Sequence, residues 1–528
     1  MKSLLTTCGI FFGICIFYMI IMISKTDFEL IYPIDDAYIH LAVAKNFALH
    51  QVWGMTPYEF SSSSSSPGFT FILSALISIF GNYALIPLIF NGMIAFFVIC
   101  FLNKYYSQYF QQNKSIVISI LFTLFFAVFH FQILLGMEHV LQIFLVVVTI
   151  YYFQKWSASD FKKSQPAYWF YLSITLLGLV RFESMFYYAS LAFVFVCLKN
   201  FRNALLVVIC GFLPIIIFGY FNDQQCGYFF PYSVVVKGAS FDFSGDIVQQ
   251  LKQVLFKNLI FNITFYKVGL FLLLFAGVFL YRDYRSKVSF QQLVLNNLLL
   301  IVFSITLLLH AFFGDFHGAF RYEAYLYVAF VMLIIPRIKP YFISPLSEFK
   351  KDKIIGVLIF FNFFIVIYKC VFSHFILMNG SRNIYEQQMQ SARFLKKYYN
   401  TSKVVANDIG AICYVSDIHL LDIAGLGSKE MIDFNTNGKI FDGKFESFIT
   451  KYTIENNYDL AIVYEEWFGG HVPKSWKKVA VLKINNNIVA ALDHVVIYSI
   501  DIRNEKQLKE NIRNFPWNKN VEVRIVGE

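Results

Sequence analysis

Charge is scarce in this chain. Only 15% of its 528 residues are Asp, Glu, Lys or Arg, while 57% are hydrophobic. Soluble domains carry about 25% charged residues, so the balance excludes an ordinary water-soluble protein and indicates a polytopic membrane protein. Cysteine chemistry is missing too. Of eight Cys, six (Cys8, Cys15, Cys100, Cys197, Cys210 and Cys370) fall in apolar runs, where a thiol acts as a small hydrophobe. Cys226 and Cys413 lie outside those runs and form neither a metal spacing nor a disulfide framework. There is no long internal repeat and no glycine-rich phosphate loop.

What is present is aromatic and apolar. Phe contributes 63 residues and Tyr 33, a composition suited to lipid-facing surfaces and interfacial belts. The net charge of +10 sits in short loops between spans, so it reports topology and not a nucleic-acid partner. Residues 4–23 form an apolar run behind one Lys, without a small-residue cleavage site, and read as an anchor and not a removable signal. Further runs recur near 84–102, 115–135, 139–153, 168–180, 184–198, 203–221, 264–281, 292–312, 321–335 and 354–376. Residues 68–80, between Pro67 and Gly81, are too short for a clear crossing. If they do not cross and the N-terminus is cytoplasmic, the Lys/Arg clusters at 104–114, 155–163, 199–202, 282–287 and 337–353 all fall inside. The expectation is therefore about eleven spans with the C-terminus outside.

The chain is organised around Tyr32-Pro33-Ile34-Asp35-Asp36-Ala37-Tyr38-Ile39-His40, in a first external loop covering 24–83. Two adjacent carboxylates at a membrane surface need a partner or a function. Ala37, Leu41, Ala44 and Ala48, with Val43 and Phe47, form an apolar stripe that predicts a helix lying along the bilayer, with Asp36 and His40 on one face. With this topology the other charges near span ends gather on the same outer face: Glu138, Arg181, Glu183, Lys237, Asp315 and Arg321. Each has a bland reading as a local ion pair, a cap or a snorkelling cation; together they point to a shared polar pocket. Ser61–Ser66 is a low-complexity run expected to be a flexible loop end. Ser66 before Pro67 also reads as the N-cap of a helix, a seat for a phosphate.

Residues 247–262 predict an amphipathic surface helix. After about residue 377 the composition becomes that of a soluble α/β domain. A helix is expected over 384–399, and strands at 404–406, 419–422, 460–464, 479–484 and 495–500. The expected division is 1–376 for the transmembrane catalytic part and 377–528 for an extracytoplasmic α/β domain that acts as an acceptor-side or structural cover.

Asp35-Asp36-Ala37-Tyr38-Ile39-His40, Ala44-Lys45-Asn46 and the Ser66-Pro67 helix start resemble the polytopic glycosyltransferases of the GT-C fold. The pattern is nearest the bacterial arabinofuranosyltransferase-like branch, distantly related to protein mannosyltransferases. Gly136-Met137-Glu138, Leu179–Glu183, Gly314-Asp315 with Arg321, Ala406–Gly410 and Asp422–Leu426 continue it. The resemblance implies an inverting enzyme of the bacterial inner membrane. It would move a sugar from a polyprenyl-phosphate donor to a hydroxyl of an envelope glycan, lipid or protein on the outer face. It implies Asp35 as the base, with Asp36 the runner-up, since a phosphate leaves without a general acid. Lys237, Arg321 and Arg181 would neutralise the departing phosphate. His40, Glu138, Glu183, Asp315 and Tyr322 would orient sugar or acceptor. Asp36 with His40 is the candidate holder of a divalent cation, which basic side chains make unnecessary. The alternatives from other classes are a lipid-linked sugar transporter or flippase, and a non-catalytic component of envelope polysaccharide assembly.

Overall fold

A computed structural model describes residues 1–237, 246–260, 262–314, 316, 318–436 and 441–527, with backbone alone at 237, 258, 263 and 268. Among the described residues five helices are long and apolar enough to cross a membrane: Lys2–Ser24, Ile86–Tyr106, His139–Ser157, Phe201–Cys226 and Lys353–Tyr398. Phe290–Asn296 and Leu298–Phe313, bent by 76°, add a sixth if they act as one span. The shorter apolar helices Pro67–Phe80, Asn113–Phe126, Ser184–Cys197 and Ala324–Ile334 pack against these.

Local chemistry explains the short helices. Pro67 occupies the first turn of Pro67–Phe80, and Gly81, at φ 91°, ends it. The run at 115–135 becomes two helices, Asn113–Phe126 and Phe129–Leu134, because Val128 takes a left-handed φ of 49°. The amphipathic stretch forms the helix Ile247–Val254, which buries no side chain, and continues as a wider turn over Leu255–Ile260.

The expected boundary at 376/377 falls inside one 46-residue helix, Lys353–Tyr398. This helix widens over Tyr385–Met389 and runs from the bundle straight into the α/β part. That part holds a six-stranded sheet of β1 (Lys403–Ala406), β2 (His419–Asp422), β3 (Leu460–Val463), β4 (Lys477–Lys483), β5 (His494–Ser499) and β6 (Glu522–Ile525), in the order β2-β1-β3-β5-β4-β6. β1 pairs in parallel with β2 and β3, and the other pairings are antiparallel. Strand β6 carries an exposed charged face and has no apolar run to announce it.

The helix Asp36–His50 departs from the expectation of a helix lying on the bilayer. Ala37, Tyr38, Leu41 and Ala44 join the core of the bundle, while Ile39, Ala42 and Val43 join the core under the sheet. Both faces are covered, so this helix is the joint between the two halves.

Candidate active site

At the start of that joint helix, Asp35 and Asp36 point to different neighbours, since consecutive helical residues differ by about 100°. The Asp35 carboxylate accepts hydrogen bonds from the Gly410 N–H at 2.7 Å and the Ala411 N–H at 2.8 Å, capping the helix Gly410–Val415 of the α/β part. Gly410 has to be glycine here: a Cβ would stand 2.3 Å from the Asp35 carbonyl oxygen and 2.7 Å from its Oδ2. Burial and the nearby Asp408 charge push the Asp35 carboxyl up to about 8, against the pull of the two N–H donors. Asp408 is itself raised by burial, and accepts from the Tyr464 hydroxyl at 2.6 Å and Gln388 Nε2 at 2.7 Å.

Asp36 faces the other way, into a cavity of about 410 Å³. Arg321 donates to Asp36 Oδ2 at 2.9 Å and to the Gly318 carbonyl at 2.7 Å. Arg181 lines the cavity itself. Its NH1 donates to Glu138 Oε1 at 2.7 Å and to Ser65 Oγ at 3.3 Å. Its Nε donates to Glu183 Oε2 at 3.0 Å, and its NH2 pairs with the other oxygen of Glu183. Glu138 and Glu183 precede the helices His139–Ser157 and Ser184–Cys197, where the helix dipole favours an acid. The turn before Glu138 depends on Gly136 at φ 69°, where a Cβ would meet the Tyr32 ring at 2.3 Å. Both guanidiniums lie at cation–π distance from Tyr322, with ring-centre distances of 4.9 Å for Arg181 and 5.3 Å for Arg321.

His40 also lines the cavity. Its Nδ1 is 3.1 Å from both Ser64 Oγ and Thr70 Oγ1, and its Nε2 is 3.1 Å from Glu138 Oε2. With both ring nitrogens engaged, His40 orients Glu138 and has no lone pair to offer an ion beside Asp36. The expected Asp36–His40 cation site therefore does not fit these residues. Among the described residues no cluster of three or more His, Cys, Asp or Glu side chains suits a metal ion.

The serine run also departs from expectation. Ser61, Ser62, Ser63, Ser64 and Ser66 are buried, and the run is pinned by bonds such as Met55 N–H to Ser61 Oγ at 2.8 Å and Tyr232 N–H to the Ser62 carbonyl at 2.8 Å. It is packed structure, not a flexible end. Ser66 makes no side-chain cap, and the helix start behind it is closed: a Cβ on Gly68 would stand 2.9 Å from the Leu179 carbonyl oxygen. Ser63 and Ser65, and not Ser66, reach the cavity.

The structure thus gathers Asp36, Arg321, Tyr322, Arg181, Glu183, Glu138 and His40, and turns Asp35 and Ser66 away. The Lys237 side chain and Asp315 lie outside the described residues. The rest of the wall is apolar, with Ile39, Phe182, Met185, Phe186 and Phe230. Sequence reading missed these because they look like any lipid-facing residue. It also missed Leu426, a cavity residue supplied by the α/β part. Asp422 shapes its loop by accepting from the N–H groups of Ala424, Leu426 and Gly427 at 2.9, 2.6 and 2.7 Å.

A profile described as a domain of unknown function (DUF8728) matches residues 382–498. A search of curated proteins finds no match. Among solved structures the chain is similar to the apo oligosaccharyltransferase of Archaeoglobus fulgidus, with 12% identity, 92% of this chain and 74% of that one covered, and a TM-score of 0.46. It is also similar to ArnT from Cupriavidus metallidurans bound to undecaprenyl phosphate, with 9% identity, coverage of 93% and 98%, and a TM-score of 0.49. The archaeal oligosaccharyltransferase AglB from Archaeoglobus fulgidus, in complex with an inhibitory peptide and a dolichol-phosphate, is similar at 11% identity, coverage of 92% and 74%, and a TM-score of 0.44.

Proposed function

We propose that the chain is an inverting glycosyltransferase of the GT-C type, related to the arabinofuranosyltransferase-like branch. It transfers a sugar from a polyprenyl-phosphate donor to a hydroxyl of an envelope glycan, lipid or protein, at the outer face of a bacterial inner membrane. The N-terminus is then cytoplasmic and the α/β part extracytoplasmic. One observation carries this reading: Asp36, on the wall of a mainly apolar cavity that Arg181 also lines, is hydrogen-bonded at 2.9 Å to the Arg321 guanidinium. An amphiphilic donor with an anionic leaving group needs that combination.

The chemistry balances without an acid catalyst. The acceptor oxygen attacks the anomeric carbon from the face opposite the phosphate, and its proton passes to Asp36. The C1–O bond to phosphate breaks with its electron pair staying on phosphate, whose second pKa of about 6 lets it leave unprotonated. Asp36 replaces Asp35 as the proposed base because Asp35 is committed to the Gly410 and Ala411 N–H groups. Arg321 meets the phosphate charge. Among Asp36, Glu138, Glu183, Arg181 and Arg321, three acids face two bases. An anionic donor therefore calls for a further cation. Lys237, at the end of the helix Tyr232–Lys237 whose Ser233 and Val234 line the cavity, is proposed for that role.

The test uses membranes containing the full chain and radiolabelled polyprenyl-phosphate sugars. Asp36→Asn should lower transfer by about 10²- to 10⁴-fold, the usual worth of a general base, while donor still binds. Near-normal turnover would remove Asp36 from the role, and donor crossing the bilayer without any transfer would favour a transporter.

A further inference from the structure

The helix Asp36–His50 meets the α/β part at a second point, near its far end. Lys45 is 6% exposed there. An ammonium has three hydrogens and no lone pair, and each hydrogen finds an acceptor: the Cys413 carbonyl at 3.1 Å, the Tyr414 carbonyl at 3.2 Å and Asp417 Oδ1 at 3.0 Å. Cys413 and Tyr414 belong to the last turn of the helix Gly410–Val415, where carbonyls have no intrahelical donor. Lys45 thus closes the C-terminal end of the helix that Asp35 closes at its N-terminal end. The lengths agree. Asp35 and Lys45 stand about 15 Å apart along their own helix, and the partner helix is about 9 Å long. Helical side chains lean towards the N-terminus of their helix, and the four-carbon stem of Lys45, leaning that way, covers the difference. The two helices run parallel, tied at both ends. Asp417 is held from two further sides: its N–H donates to Asn400 Oδ1 at 3.2 Å, and its carbonyl accepts from the Tyr58 hydroxyl at 2.8 Å. In the triplet Ala44-Lys45-Asn46, Ala44 joins the bundle core, Lys45 reaches the α/β part, and Asn46 Nδ2 donates to the Gly54 carbonyl of its own loop at 3.0 Å.

We infer that Lys45 is a positioning residue: by holding the C-terminal end of the helix Gly410–Val415 it fixes the angle at which the α/β part stands against the bundle, and with it the place of Leu426 in the cavity wall. One tie, at Asp35, leaves a pivot; a second tie at the other end of the same helix stops rotation about it. Lys45 itself lines no part of the cavity. Its role rests on the carbonyl bonds and not on the ion pair. The Asp417 side chain is 42% exposed, and a pair so hydrated contributes little. The Cys413 carbonyl, in a buried bond, would lose its donor away from solvent. The consequence for transfer rests on the reaction proposed above; the tie between the helices does not.

The experiment compares wild type, Lys45→Met (which keeps most of the stem) and Asp417→Asn as full chains in lipid nanodiscs. In Lys45→Met the 412–417 amides should exchange at least ~10-fold faster, with the helix His139–Ser157 and strand β3 within ~3-fold of wild type; Asp417→Asn should stay within ~3-fold throughout. Nitroxide amino acids at the exposed positions Tyr83, on the outer face of the bundle, and Ile454, in the α/β part, read the angle directly. Their distance distribution should be at least ~2-fold broader in Lys45→Met than in wild type. In the transfer assay Lys45→Met should lower kcat about 10-fold and leave the donor KM unchanged, since Arg181 and Arg321 belong to the bundle. Unchanged exchange at 412–417 or an unchanged distance distribution in Lys45→Met would overturn the inference. So would acceleration spread evenly over bundle and sheet, or an Asp417→Asn variant that matches Lys45→Met. If wild type transfers nothing while exchange and distances behave as expected, the proposed reaction fails and the positioning role of Lys45 stands.

Discussion

Arg181 holds two carboxylates, and replacing it should expose how much the cavity wall depends on charge pairing. Glu138 has no solvent exposure and pairs with Arg181 at 2.7 Å; the Glu183 side chain is 25% exposed. In Arg181→Gln the Glu138 charge stays buried without a guanidinium bonded to it, which costs roughly 3–4 kcal/mol by the general behaviour of broken buried pairs. The half-hydrated Glu183 adds no more than about 1 kcal/mol. The expected loss is therefore about 4 kcal/mol, most of it returned by adding Glu138→Gln, which removes the stranded charge. Unfolding by SDS titration in mixed micelles, followed by tryptophan fluorescence, reads both variants. A loss below about 1 kcal/mol for Arg181→Gln, or a double variant no more stable than the single, would refute the account of the wall.

Two further outcomes concern the joint between the halves. Gly410→Ala places a methyl against Asp35, where a Cβ has 2.3 Å to the nearest oxygen, and should detach the α/β part. Limited proteolysis of the 400–430 region should then speed up while the bundle stays intact, and unchanged protection would speak against the contact. In the folded chain the carboxyl of Asp35 is pushed up to about 8 and that of Asp422 to about 7, from ordinary values of 3.8, mainly by burial. Between those limits these two groups bind more protons in the folded state than in the unfolded, so their contribution to stability is greatest near pH 4 and is lost as pH rises towards 8. Asp408→Asn removes a like charge from Asp35 and should flatten the upper part of that fall. Thermal melts across pH 4–8 whose dependence on pH is the same in Asp35→Asn as in the wild type would contradict the assignment.

Much of this was legible in the residues and part of it was not, for physical reasons. Strand β2 announced itself as His419–Asp422 because an apolar pair between turn residues has few other readings. The gathering of Asp36, Glu138, Arg181 and Arg321 followed from one-sided charge, since a lipid phase leaves ionised groups few places to go. The partners of Asp35 did not, because Gly410 is 375 residues away and offers only its backbone N–H. Lys369 was lost inside an apolar run whose average hides one ammonium, and no pattern near it betrays the Phe126 carbonyl that receives it. The serine run misled for a related reason. Hydroxyls that usually mark solvated loops are here paired with one another and with backbone groups, as in the 2.7 Å contact of Ser64 with Thr70.

The tandem aspartates show why two acids stand together at this point. A single carboxylate at the start of the helix Asp36–His50 would serve either the cavity or the α/β part, not both. Two in sequence, about 100° apart, let one helical turn meet Arg321 on one side and the Gly410 N–H on the other. The same helix divides its apolar residues between the two cores, so tilting it to release one contact disturbs the other. Leu426 reaches the cavity from a loop folded around Asp422, and the helix Ile432–Asn435 packs on Tyr232–Lys237, which supplies Ser233 and Val234 to the same wall. The α/β part therefore touches the cavity at Leu426, supports a second wall segment and grips the helix that bears Asp36. A substitution confined to the Gly410 contact should then alter the chemistry at Asp36 without altering any residue that lines the cavity.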